Sequence, residues 1–194
     1  MIANQIAGLL TDGVVAALTD YESIATVTVG SGGASSVDFT SISGTYKHLQ
    51  IRGIVKLSRT TGNENLYAQL NGDTATNYSW HQLVGSGAAA SASAGATQAF
   101  MYLGENIGAW ASAANMFSAT VIDILDYSDT NKNKTVRTLH GGDQNGNNAP
   151  NGDTGKITFS SGNWRNTSAV TSIKIYPSAG TIQQYSSFAL YGIK

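Results

Sequence analysis

Three histidines, His48, His81 and His140, are the residues best suited by type to acid–base chemistry, and their spacing argues against it. They are far apart in the chain and stand in no HExxH, nucleophile-elbow or phosphate-loop context. His48 is expected on the polar face of a strand, and His140 where a strand meets a loop. Asp123 and Asp126 have the residue types of a glycosidase pair, which works across a sugar at roughly 5–9 Å. Their odd spacing at the end of one strand sends them to opposite faces, and Asp129 follows in a turn. The expectation is a chain without a catalytic site.

Metal binding and ligand binding have weaker signals. Asp129-Thr-Asn131-Lys-Asn133 and Asp143-Gln-Asn145-Gly-Asn147 both begin as calcium loops do, with oxygen ligands at alternate positions. The first contains lysines, and the second lacks the sixth-position Gly and the closing Glu. Asn, Asp and Gly also simply form turns, so no metal or other cofactor is expected. Trp80, Trp110 and Trp164 stand in loop-adjacent contexts and could stack on a sugar, with amides nearby for its hydroxyls. They are the candidate glycan-binding residues, although the indole of Trp164 could equally cover the core.

The elements that must position these groups are β-strands. Ile24–Val29 alternates and is β-branched. In Tyr46–Leu57, Leu49, Ile51, Val55 and Leu57 point one way, while His48, Gln50, Arg52 and Lys56 point the other. Gly53 in its middle suggests a bulge or a close backbone approach. Further strands are expected at Leu66–Leu70, Tyr78–Val84, Phe100–Leu103, Phe117–Leu125, Thr135–Leu139 and Lys156–Phe159, and two more lie in VTSIKIYPSAGTIQQYSSFALYGIK at the end. The last of these is apolar on both faces, as a strand buried between two layers would be. GSGAAASASAGA reads as a loop or a small-residue strand, and HGGDQNGNNAPNGDTG as the longest irregular segment. Nine to eleven short strands with close turn signals and no helical crossover predict an antiparallel β-sandwich, jelly-roll-like.

Two domains of text are visible: an arm over residues 1–20 and a β-sandwich over 21–194. In the arm, Ile2, Ile6, Leu9 and Leu10 fall at helical spacing and Val14 extends the set, interrupted at Gly8 and Gly13. Such a segment is marginal alone, which makes these five residues candidates for docking on a partner.

Composition narrows the classes. Only 12% of the 194 residues are charged, about half the usual share, and the net charge is −1. Such a surface offers no footprint for nucleic acid or an anionic membrane. There is no Cys, which removes disulfides, thiolate metal sites and Cys nucleophiles. No stretch reaches the ~20 apolar residues of a membrane span, and the N-terminus lacks the basic region of a signal peptide, so folding in a cytoplasm is expected. A sheet protein this poor in charge lacks Lys-rich edge protection, and burying edges and small-residue faces in a homo-oligomer is the natural remedy.

The wording of three segments adds to this. Tyr21–Gly53, Phe117–Arg137 and Ser161–Lys194 resemble virion structural proteins of tailed bacteriophages, especially aquatic and environmental ones. The shared features are SIATVTVGSGG, TYKHLQIRG, NYSWH (Asn77–His81), a DxxDYxxTNK turn and the terminal FALYGIK. The resemblance covers roughly Tyr21 to the end and carries no catalytic residues. It implies a non-enzymatic particle component, a capsid decoration, head-fibre or tail-fibre protein, located in the virion and assembled in a bacterial cytoplasm. Such modules are often trimeric β-sandwiches, so the expected partners are further copies of itself and other virion proteins. A receptor-binding module for host-surface carbohydrate is the alternative.

Overall fold

The computed structural model describes residues 20–59, 64–105, 115–143 and 155–194. The arm residues Ile2, Ile6, Leu9, Leu10 and Val14 therefore lie outside the described residues, as does Trp110. Among the described residues every regular element is a strand. In chain order they are β1 (Tyr21–Thr28), β2 (Val37–Phe39), β3 (His48–Val55), β4 (Leu66–Leu70), β5 (Tyr78–Gly85) and β6 (Ala90–Gln98). They continue as β7 (Met101–Gly104), β8 (Ser118–Leu125), β9 (Lys134–Asp143), β10 (Gly155–Trp164), β11 (Ile173–Pro177) and β12 (Ser187–Ile193).

These twelve strands form two antiparallel sheets. The larger runs β1-β12-β3-β8-β9-β10-β5-β6 and the smaller β2-β11-β4-β7. Eight strands make a jelly roll, in which the chain folds back on itself as one long hairpin and rolls up. The outermost pair is β1 with β12, then β2 with β11, β3 with β8, and β4 with β7. The hairpins β5–β6 and β9–β10 are inserted into this scheme. Because β9 joins β8 and β10 joins β5, both widen the larger sheet on one side.

Alternation fixes which side chains enter the core. Leu49 and Ile51 of β3, Ile122 and Ile124 of β8, and Phe188 and Leu190 of β12 face Leu66, Ala68, Leu70, Ile173 and Ile175 of the smaller sheet, and all are buried. The gap left between the layers is about 10 Å³ and lined only by apolar side chains, so it offers a water no polar partner. Gly53 makes a close approach and not a bulge, since the register of β3 with both neighbours is unbroken. A Cβ there would stand 2.7 Å from the Phe188 ring.

Of the two readings of GSGAAASASAGA, the structure has the small-residue strand: it supplies the edge strand β6, held by its ladder to β5. Three expectations change. The segment after Leu139 is not all irregular, because β9 continues through His140–Asp143 in register with Gly155–Thr158. His140 consequently sits within a strand, pointing inward and buried. β12 is not sandwiched between two layers either: its inward residues are buried, whereas Ala189, Tyr191 and Ile193 lie on the outer face and are partly exposed.

Candidate functional site

The outer face of the larger sheet carries the most unusual surface in the described structure. Strand register assembles it from residues far apart in sequence. One row across the sheet reads Ala92, Leu83, Phe159, Leu139 and Val121, ending at Arg52. The next outward row reads Ala90, Gly85, Ile157, Gly141, Ala119 and Ile54. Eleven of these twelve positions are apolar or glycine, so the two rows form one band across six strands. Leu83, Leu139, Ile157, Phe159 and Ile54 are each 47–58% exposed. Over the small residues Gly85, Gly141 and Ala119 runs a trough of about 590 Å³, walled by Leu139, Ile157 and Val121.

The charged residue at the band's end is turned away from it. The Arg52 guanidinium lies 5.3 Å from the ring centre of Tyr21 and 5.5 Å from that of Tyr191, toward the far edge of the sheet. Its Nε donates to Gln50 Oε1 at 2.8 Å, and Gln50 Nε2 donates to Asp123 Oδ1 at 2.8 Å. Asp123 stands directly opposite Arg137 in the β8–β9 register. A polar row of His81, Ser161, Arg137, Asp123 and Gln50 thus borders the apolar band.

The inner face of the widened part differs. Gln82, Ser160 and Thr138 form one inward row and Thr158, His140 and Thr120 another, all buried. Gln82 Nε2 donates to Glu105 Oε2 at 3.0 Å, and Lys156 Nζ approaches Glu105 Oε1 at 3.4 Å. Burial pushes the imidazole of His140 down to about 4, a hydrogen bond with the Ala119 backbone opposing the shift, so the ring is neutral at physiological pH. The three histidines do not converge: His81 is on the outer polar row, His140 is inside, and His48 Nδ1 accepts the Asp126 backbone N–H at 2.9 Å.

The calcium-like loop at Asp129 is organised around its own lysines. Lys134 is fully buried, and its ammonium donates to the carbonyls of Asp129 (2.6 Å), Lys132 (2.7 Å) and Thr167 (3.0 Å). Burial lowers its pKa, against the nearby carboxylates of Asp129 and Asp126. Lys132 Nζ meets Asp126 Oδ2 at 2.7 Å and Asp129 Oδ2 at 3.3 Å, while Asp129 Oδ1 accepts the backbone N–H of Asn131. The Asp126 and Asp129 carboxylates are thus engaged by Lys132, the Asp129 carbonyl by Lys134, and Asn133 closes the turn before β9. Asp143 ends β9 opposite Gly155; Asn145 and Asn147 lie outside the described residues. Among the described residues no three His, Asp or Glu side chains gather as a metal site would require.

The tryptophans require a correction. Trp164 is 1% exposed, lies against Tyr78 at 6.3 Å between ring centres, and donates through Nε1 to Asp73 Oδ2 at 2.7 Å. It has no face free for a sugar ring. Trp80 is partly buried, stacked on Tyr102 at 4.5 Å, and a Cβ at Gly95 would come within 2.7 Å of its ring. One indole face is therefore covered by Tyr102, and the β6 backbone at Gly95 crowds the ring, so neither described tryptophan offers an open stacking platform. Sequence reasoning missed the band instead, and the signal available was the apolar residue on the outward phase of β5, β9 and β10.

Comparison with known proteins adds no family. No protein-family model matches the chain, and no curated protein matches it. Among solved structures, a protein of unknown function from Shewanella oneidensis MR-1 is similar at 9% identity and a TM-score of 0.26, over 89% of this chain and 75% of that one. The alginate lyase Aly36B, solved with alginate tetrasaccharide, gives 11% identity and a TM-score of 0.26 over 92% and 99%. SCLam, a non-specific endo-β-1,3(4)-glucanase from family GH16, gives 8% and 0.22 over 81% and 60%. Likenesses this low carry no argument about what this chain does.

Proposed function

We propose that the chain is a non-enzymatic structural component of a tailed-phage particle, a capsid-decoration, head-fibre or tail-fibre module displayed as an oligomer. The phage assignment rests on the wording of Tyr21–Gly53, Phe117–Arg137 and Ser161–Lys194. The single structural observation that supports a structural role is the uncharged apolar band on the outer face of the larger sheet. It is a surface made for contact with protein, since contiguous exposed apolar patches of this kind mark interaction sites. The β-sandwich beneath supplies a rigid platform for it.

In this reading the arm, through Ile2, Ile6, Leu9, Leu10 and Val14, docks on another virion protein, and the sandwich projects from the particle. The test is incorporation. A chain lacking residues 1–20 is expected to fold and yet be lost from purified particles. Full occupancy without those residues would overturn arm docking. A host-carbohydrate role would need a surface other than Trp80 and Trp164.

A further inference from the structure

We infer that the band formed by Leu83, Phe159, Leu139, Ile157 and Ile54 is the surface through which copies of this chain meet. The inference deepens the oligomeric part of the reading above and does not depend on the phage assignment.

Three observations select a second copy as the occupant. The first is area. Six strands spaced ~4.8 Å apart, each about eight residues long at ~3.3 Å per residue, present a face of roughly 750 Å². A stable pairing needs about 800 Å² per partner, so this six-strand face, polar border included, is close in size to what pairing with another copy of itself requires. The second is anatomy. The apolar rows are bordered by the polar row of His81, Ser161, Arg137, Asp123 and Gln50, which is the pattern of an interface core with its rim.

The third is charge. Arg137 and Asp123 stand side by side on β9 and β8, so the rim carries both signs and complements itself when another copy is laid over it. The chain's net charge of −1 puts up no electrostatic barrier to self-association. The sequence between Asp143 and Gly155 is made of Asn, Gly, Asp, Gln and Thr with one Ala and one Pro, a chemistry unlike that of the band.

The test uses the full chain and reads its mass by sedimentation over a range of concentrations. The wild type is expected at a multiple of 20.2 kDa. Phe159→Glu and Leu83→Lys, each placed at a half-exposed position, are expected to fall to the single-chain mass with unchanged circular dichroism. Thr26→Glu, on the same face but beyond the band, is expected to keep the wild-type mass. A wild type that is monomeric at every concentration, or a Phe159→Glu chain that keeps its assembled mass, overturns the inference. Should either band variant fail to fold, radical labelling of wild-type Leu139, Ile157 and Phe159 decides. Protection that rises with concentration supports the inference. Constant labelling, or protection in a monomer as an intramolecular cover would give, overturns it.

Discussion

Trp164 and Asp73, 91 residues apart in the chain, are joined by a 2.7 Å hydrogen bond from the indole Nε1 to the carboxylate Oδ2. The same carboxylate accepts the Ala75 backbone N–H and the Asn77 side-chain amide, both at 2.9 Å. Burial alone would raise the pKa of Asp73, but the hydrogen bonds from Asn77, Trp164 and Ala75 win and hold it below the usual carboxylate range. This junction locks the end of β10 to the turn after β4. Asp73→Ala should therefore cost roughly 2–3 kcal/mol, because it orphans a buried indole donor. Trp164→Ala should cost about 3–5 kcal/mol through the cavity it leaves. Urea unfolding monitored by circular dichroism reads both.

Lys134 does for its loop what a cation does for a calcium loop. Lys134→Met keeps the length of the side chain but leaves three inward carbonyls without their donor, and a loss of about 2–4 kcal/mol is expected. Added calcium should not restore the melting temperature of this variant, because Lys132 still occupies Asp126 and Asp129. Rescue by calcium would show that the loop is a vacated metal site.

Two buried groups give stability a pH dependence of opposite sign. Burial puts His140 at about 4, below its ordinary 6.5, so the stability linked to its neutral form is complete above pH 6.5 and is lost as pH falls through 4. The full loss is about 3 kcal/mol. Burial pushes the Glu64 carboxyl up to about 7, with the Arg59 backbone N–H on Oε2 opposing. Its contribution is complete below the ordinary 4.5 and is lost as pH rises through 7. The two windows overlap between pH 4.5 and 6.5, where the contributions oppose, so unfolding free energies measured from pH 4 to 8 should fall with rising pH through that window in His140→Leu and rise through it in Glu64→Gln.

Gly53 admits no side chain. Gly53→Ala places a methyl against the Phe188 ring and the Thr120 methyl, where 2.7 Å and 3.0 Å are available, and an overpacking cost of about 1–3 kcal/mol is expected. The same substitution at Gly72, which has open space but a φ of +67°, should cost through backbone strain alone. A comparison of the two by denaturant midpoint separates packing from conformation.

The strands were legible where alternation was clean. Leu49, Ile51 and Val55 of β3 and Leu66, Ala68 and Leu70 of β4 are buried on the phase their spacing implies. Apolar residues on both phases misled, because a strand covered on two sides and one with a face turned to a partner have the same composition. Tyr191 on β12 and Leu139 on β9 illustrate this: each is apolar in type and outward in place. The pairing that turns small residues into β6, and HGGD into strand, is supplied by the partner strands β5 and β10 and not by the residues' own propensity. The fate of Trp164 was hidden for the same reason, since Asp73 and Tyr78 reach it only through the fold.

The central claim is that this chain is a structural part of an assembled particle. Its most direct test is to purify the phage particles from a producing culture and quantify this polypeptide in them by mass spectrometry against the major capsid protein. The account predicts a fixed, stoichiometric copy number that survives washing and density-gradient purification. A chain abundant in the infected cell and absent from the purified particles would contradict it.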